Sequence, residues 1–562
     1  MAKNAATEGR QDLKNSISPV PDDQEVGEVT AVDARLFVGD RILPQTRRVM
    51  TPRRAQFLMM GGLVGTAIWT GIGYQLNNSG SLGLWLGKLP ASPLTRLITH
   101  DSIGMIAYGI LAVVPTTWAV TEMGTYLPIQ GTFYAFVNRY VDPAASFAIG
   151  WMGWYAGAIF VATEYTAIAI LFNFWTDVNP GVWIVLCIAL STLSNSLGVI
   201  ITIIGLLIMT FIVMLGGNPH HDRFGFTHFK DPVLIKEYVG EGSWGRFLAV
   251  WSALIYATFA IGGPDIMITM LGELQHPRRN FPRISRQIYL RLFLFYGLGV
   301  LAIGILCSSS DPNLINGINF SEGGTNISPW IVGIKNLDIS VLPHILNAVF
   351  ITSAWSCANM SIYSSSRIVY ALALQRDAPA IFRRCTPNGS PWVCIALSSI
   401  VSCVAFLVCG NNAVVVFQWL AGLFGGASMI AFAMMNVTFL RFRAGLRAQG
   451  IPLKSLPYVG HLQPYGSYVA LVVIVLGLLT NGWTAFLYGK FDTKSFFTGY
   501  LGIAWFVIFF LGYKIYFKTK FIKASEMDLH SDMDIIAEYE KANGYDKPVV
   551  LTGWRKTIDF FW

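Results

Sequence analysis

Asp265 stands directly after Gly262-Gly263-Pro264, in the middle of a long apolar run. Pro264 has no N–H to give to the carbonyl four residues back, so a helix through this run loses a bond and releases backbone oxygens. Such carbonyls suit an ammonium group. An earlier apolar run carries the counterpart, Gly61-Gly62-Leu63-Val64-Gly65-Thr66-Ala67, followed by Gly71 and Gly73. Glycine in a buried helix serves close packing. It also serves a broken helix, whose freed N–H groups point into a cavity and hold a carboxylate. Two glycine-interrupted apolar runs in corresponding positions favour the second reading, because together they offer both ends of a zwitterion site. The contact residues this implies are Gly61, Gly62, Gly65, Thr66 and Ala67 on the first run, with Phe259, Ile261, Gly262 and Gly263 on the second.

Four carboxylates lie within or beside apolar runs: Glu122, Glu164, Asp265 and Glu273. A carboxyl in a low-dielectric span protonates more readily than in water, which suits reversible proton carriage. Asp265 leads these candidates because it adjoins the break, followed by Glu122 and Glu164. Lys and Arg are nearly absent from the middle of the apolar runs, so no fixed internal cation is evident. There is no G-x-x-x-x-G-K-[ST] loop for nucleotide-driven work. No Ser/His/Asp or metal-ligand constellation stands out, the eight His are scattered, and no cofactor is implied.

The elements that must position these residues follow from composition. Of 562 residues, 53% are hydrophobic and 13% charged, against roughly 25% charged in soluble domains. Mean hydropathy is +0.51. The apolar stretches run to about 20 residues without period-2 alternation, the length and pattern of membrane helices. The net charge of +8 sits in the loops between apolar runs, which argues against nucleic acid as a partner. The cysteines (187, 307, 357, 385, 394, 403, 409) lie in or beside apolar segments with no C-x-x-C pair, so neither disulfides nor a cysteine metal site is expected.

Twelve spans are expected, near 57–77, 103–121, 144–174, 182–198, 199–216, 247–270, 288–308, 342–371, 391–410, 412–438, 467–488 and 496–517. Residues 1–50 read as a disordered tail, 51–517 as the membrane domain and 518–562 as a second tail ending in an amphipathic patch, Trp554 to Trp562. Basic clusters precede the first span (Arg47, Arg48, Arg53, Arg54) and follow the sixth (Arg278, Arg279, Arg283, Arg286), eighth, tenth and twelfth. All fall on one side if both termini are cytoplasmic. The sequons at Asn319 and Asn326 then face out. One region strains this count: from Val182 to Leu215 the chain is almost uninterrupted apolar sequence, so two crossings there require a tight turn near Asn195–Gly198.

At these residues the chain resembles the fungal amino-acid permeases of the amino acid–polyamine–organocation superfamily, over roughly residues 50–530. The blocks carrying the resemblance are Gly61 to Thr66, Thr121 to Ile129, Arg139 to Pro143, Gly262 to Asp265 running on to Glu273 and Pro277-Arg278-Arg279, Asn359 to Arg367, and Leu462 to Gly466. The resemblance implies an all-α integral membrane protein of the leucine-transporter-like fold, two inverted five-helix repeats plus two helices, with spans one and six discontinuous. It also implies proton-driven import of L-amino acids through a fungal plasma membrane. A non-transporting amino-acid sensor on the same fold is the rival reading; the short N-terminal tail favours transport.

The departures are specific. The family's Gly-Thr-Gly in span one reads Gly65-Thr66-Ala67, and its Ser-Glu or Thr-Glu in span six reads Pro264-Asp265. The family's Gly-Glu-x-Glu-Phe segment is missing after Val199, while Lys88 to Ser102 is additional. A missing and an extra segment together point to misassigned introns, and an inactive product is the alternative they raise. Transcript sequencing across both places is expected to give reads that differ from this chain there; reads matching this chain would overturn that expectation.

Overall fold

Local signals set the helix ends. Asp142 accepts a hydrogen bond from Ala144 N at 2.8 Å, and Pro143 at the first helical position starts a 30-residue helix to Phe172. Asn412 caps the 36-residue helix Ala413–Ala448 in the same way. Threonines inside the apolar layer return their hydroxyls to the preceding turn: Thr116, Thr117, Thr121 and Thr125 each bond a carbonyl four residues back, at 2.7 or 2.8 Å.

The computed structural model describes residues 35–38, 41–44, 50–52, 55–56, 59, 65–84, 104–129, 132–175, 179–191, 210, 236–319, 328–386, 390–487 and 491–542. Residues Arg35–Val38 pair antiparallel with Arg41–Pro44 in a hairpin, inside the stretch whose composition reads as a tail. A five-residue π-turn, Ala67–Gly71, then leads into α1 (Ile72–Leu84). The further helices are α2 (Gly104–Tyr126), α3 (Thr132–Tyr140), α4 (Pro143–Phe172), α5 (Pro180–Ser191), α6 (Gly242–Ala260), α7 (Pro264–Thr269) and α8 (Pro277–Leu306). After α9 (Pro312–Asn319) and α10 (Pro329–Lys335) come α11 (Leu342–Leu374), α12 (Trp392–Cys409) and α13 (Ala413–Ala448). The chain closes with α14 (Tyr465–Phe486), α15 (Thr493–Phe517) and α16 (Met533–Ala542).

Counting α6 and α7 as one crossing, nine helices among the described residues are long and apolar enough to span a membrane. The other three expected spans are only partly described. The tight turn near Asn195–Gly198, the connection after Val199, the insertion 88–102 and the patch Trp554 to Trp562 lie outside the described residues, as does the second sequon apart from Ser328.

The centre is built around α4, along which both α11 and α13 pack. Small residues allow this: a Cβ at Gly157 would stand 2.8 Å from Ser365 Cβ. At the other extreme, α15 buries only Gly499 and Gly502 and turns Val507, Ile508, Leu511 and Ile515 outward, a face suited to lipid.

The face carrying the basic clusters is braced by the segment after α15. Ile522 N donates to Val141 O at 3.0 Å, and Gln449 Nε2 to Met527 O at 2.7 Å. Arg139 pairs with Asp528 at 3.4 Å, and Arg278 with Glu540 at 2.7 Å. Met527 and Leu529 are buried. On the same face, inside the protein, Glu122 of α2 meets Arg443 of α13 at 2.6 Å and also accepts from Gly460 N at 2.9 Å. Their side chains are 0% and 5% exposed. Removing one member of a buried pair strands the other charge, at a cost of about 3–5 kcal/mol. Arg443→Met is therefore expected to lower the thermal unfolding midpoint of the purified protein, and Glu122→Gln with Arg443→Met to recover part of the loss.

Candidate functional site

Helix α6 ends at Ala260, the chain runs non-helically through Ile261-Gly262-Gly263, and α7 restarts at Pro264. Gly263 takes φ 152°, a conformation side-chain-bearing residues rarely adopt. Asp265, in the first turn of α7, accepts from Gly263 N at 3.1 Å. Its carboxylate thus fixes the break and also lines a chamber beside it.

Two carbonyls at the break are held by side chains of α8. Tyr296 donates its hydroxyl to Ala260 O. Arg291 donates Nη2 to Gly262 O at 2.5 Å and Nη1 to Met59 O at 3.1 Å. Arg291 is 1% exposed, so the expectation of no fixed internal cation does not hold. The signal was present: Arg291 stands in Ile288-Tyr289-Leu290-Arg291-Leu292-Phe293-Leu294, a lone charge in an apolar run and inside the expected seventh span.

On the first run, Gly61, Gly62, Leu63 and Val64 lie outside the described residues. Gly65 has no regular structure, and Thr66 leads into the π-turn. Thr66 N donates to both carboxylate oxygens of Glu164, at 3.3 and 3.2 Å. Tyr256 of α6 donates to Ala67 O at 2.9 Å. The N–H expected to receive an external carboxylate therefore already holds an internal one. Glu164 is fully buried. A helix opening is an anion site through its unpaired N–H groups and dipole, and Glu164, 98 positions along the chain, occupies it.

Sequence reasoning missed the ring cluster next to the break. Phe259 lies 5.8 Å from Phe160, 5.7 Å from Phe417 and 5.9 Å from Phe424, measured between ring centroids. Phe259 borders two chambers. One, of about 60 Å³, contains Phe133, Tyr134, Asp265, Thr269, Ser361 and Ser428 in its wall. The other, of about 270 Å³, contains Tyr74, Gln75, Gln418, Trp419 and Asn481. The rings form the partition between them. Among the candidate carboxylates, Asp265 comes to the break and Glu164 to Thr66 of the first run, while Glu122 stays in its pair with Arg443. Glu273 pairs with Arg367 of α11 at 3.2 Å and accepts from Tyr363 at 2.6 Å. Among the described residues no cluster of His, Cys, Asp and Glu is arranged to hold a metal.

The amino acid permease family model matches residues 54–526. The chain belongs to this family. The proline-specific permease of Emericella nidulans is 33% identical over 87% of this chain and 89% of its own length. The dicarboxylic amino acid permease of Saccharomyces cerevisiae is 31% identical over 88% of this chain and 81% of its own. The lysine-specific permease of the same yeast is 30% identical over 86% and 78%. Among solved structures, the manganese transporter of Eremococcus coleocola, bound to an aromatic bis-isothiourea compound, superposes with a TM-score of 0.51 at 12% identity. The match covers 82% of this chain and 92% of that one, and shows a shared fold. The permease is a membrane protein of amino-acid transport, not an enzyme.

A Cβ placed on Gly65 would collide with Glu164 Oε1 and stand 2.8 Å from Glu164 Cδ and 3.0 Å from Cys357 Sγ. Gly65→Leu is expected to abolish amino-acid uptake while the protein still reaches the cell surface. Uptake and surface labelling measured on the same cells check this, and normal uptake would place the carboxylate site elsewhere.

Proposed function

We propose that this permease imports L-amino acids across a fungal plasma membrane by proton symport, on a leucine-transporter-like scaffold of twelve spans with both termini cytoplasmic. In this reading the Ala413–Ala448 and Pro143–Phe172 helices frame a site between two interrupted helices, one broken at Ile261–Gly263 and one opening at Thr66. The observation that carries the proposal is the Glu164 carboxylate on Thr66 N. Ionised, Glu164 satisfies the helix opening by a charge-assisted bond. Protonated, it loses that advantage, and the N–H becomes available to a substrate carboxylate of full charge. One proton and one substrate then enter together, because each charge fills the place the other vacates. Glu164 is thus the first coupling residue and Asp265, held at the opposite break, the second; Glu122 has a structural role.

The chamber wall supports a preference among substrates. It is dominated by Phe133, Tyr134, Phe160, Phe259 and Phe424, with Asp265 its charged member. Such a wall suits uncharged side chains, as in the proline-specific relative, and disfavours a second carboxylate on the substrate. The Phe259 cluster divides the two chambers and must part for transit. The Glu273–Arg367 pair, which ties the turn after α7 to α11, is the contact that opens on the cytoplasmic side.

Uptake in a permease-deficient yeast is expected to fall as external pH rises from about 5 to about 7.5, since protons are a co-substrate, and to collapse with a protonophore. Glu164→Gln is expected to keep exchange of bound substrate and lose accumulation against a gradient, and Asp265→Asn to weaken accumulation less. An accumulating Glu164→Gln variant would remove Glu164 from the coupling step.

A further inference from the structure

Interrupted helices in transporters expose carbonyls that commonly coordinate a dissolved cation. Here the carbonyl oxygens of Met59 and Gly262, one from each interrupted run, converge on a single guanidinium. Its carrier, Arg291, ends the regular part of α8 where a seven-residue π-segment, Leu292–Leu298, begins. The π-segment places Tyr296 five residues further on, with its hydroxyl on Ala260 O. One helix therefore holds two carbonyls of the break, those of Ala260 and Gly262. Among the described residues no carboxylate lies within ion-pair distance of Arg291. A buried guanidinium without a direct counter-ion is costly to keep, and two carbonyl acceptors are what it gains here.

We propose that Arg291 is a tethered cation: it takes the place of an inorganic ion between the two interrupted runs, and so makes transport independent of sodium while fixing the break in its binding geometry. The inference rests on the transport reading above and adds a positioning residue to it. Arg291 does not line either chamber, so it acts through Gly262 and Met59 rather than on substrate. A planar fork with several donors can satisfy two diverging carbonyls at once, which a lysine ammonium does less well.

The test uses the full-length permease in a permease-deficient yeast, with surface abundance measured for each variant. Replacing sodium by choline is expected to leave wild-type uptake unchanged. Arg291→Gln is expected to lower maximal uptake about tenfold or more at equal surface abundance, with Arg291→Lys intermediate. Arg291→Ala is expected to regain uptake on addition of about 20 mM guanidinium, which can re-enter the vacated space and stabilise it by mass action. The purified Arg291→Ala protein should also melt higher with guanidinium at that concentration, whereas wild type should not. Wild-type KM and maximal uptake in Arg291→Gln would overturn the proposal. So would an Arg291→Ala protein to which guanidinium restores neither uptake nor melting temperature, since that marks a packing role. If wild type itself takes up no amino acid, the transport reading fails, and the melting experiment alone decides whether the cation cradle exists.

Discussion

Everything in this molecule depends on satisfying backbone polar groups where a helix is interrupted inside an apolar layer. An unbroken membrane helix closes its own hydrogen bonds, and each open group costs several kcal/mol where water is absent. The interruption at Ile261-Gly262-Gly263 and the helix opening at Thr66 create such groups, and three side chains from other helices answer them. Tyr296 and Arg291 take carbonyls, and Glu164 takes the N–H of Thr66. These backbone groups are thus held by the protein's own side chains, while Thr66 Oγ1 and Arg291 Nε stay buried with no hydrogen-bond partner. A ligand that binds through Thr66 N, Ala260 O or Gly262 O must replace a partner the protein already has.

That constraint gives the internal charges their meaning. Glu164 at the Thr66 opening and Asp265 at the break are the two carboxylates, Arg291 is the cation, and no two of them form a direct ion pair among the described residues. Each is instead held by backbone. A group bonded to backbone can change its protonation or its partner without dismantling a salt bridge, whereas Glu122 locked to Arg443 cannot. Two kinds of buried charge therefore coexist: paired ones that brace the helix ends, and backbone-held ones placed where the helices are interrupted.

The rest of the fold keeps these parts in register. Helices α4, α11 and α13 supply the central packing, and the ring cluster around Phe259 closes the path between the two chambers. The segment after α15 crosses the basic face and reaches α3, α8 and α13 through Asp528, Glu540 and Met527. It thereby ties α8, which supplies Arg291 and Tyr296 to the break, to α3 and α13.

The sequence by itself determined that the chain is a helical membrane protein and where one interruption lies. Apolar run length is a local property, and Gly262-Gly263-Pro264 removes a hydrogen bond whatever surrounds it. It also determined the family, through blocks whose order is legible along the chain. What only the tertiary structure decided is which side chain answers each open backbone group. Glu164 lies 98 positions from Thr66, Arg443 lies 321 from Glu122, and Arg291 lies 232 from Met59. Nothing local distinguishes a carboxylate that will cap a distant helix from one that will pair with an arginine. Glu122 and Glu164 look alike in sequence, each one acid in an apolar run, and their roles part only because helix packing brings one to Arg443 and the other to an open N–H.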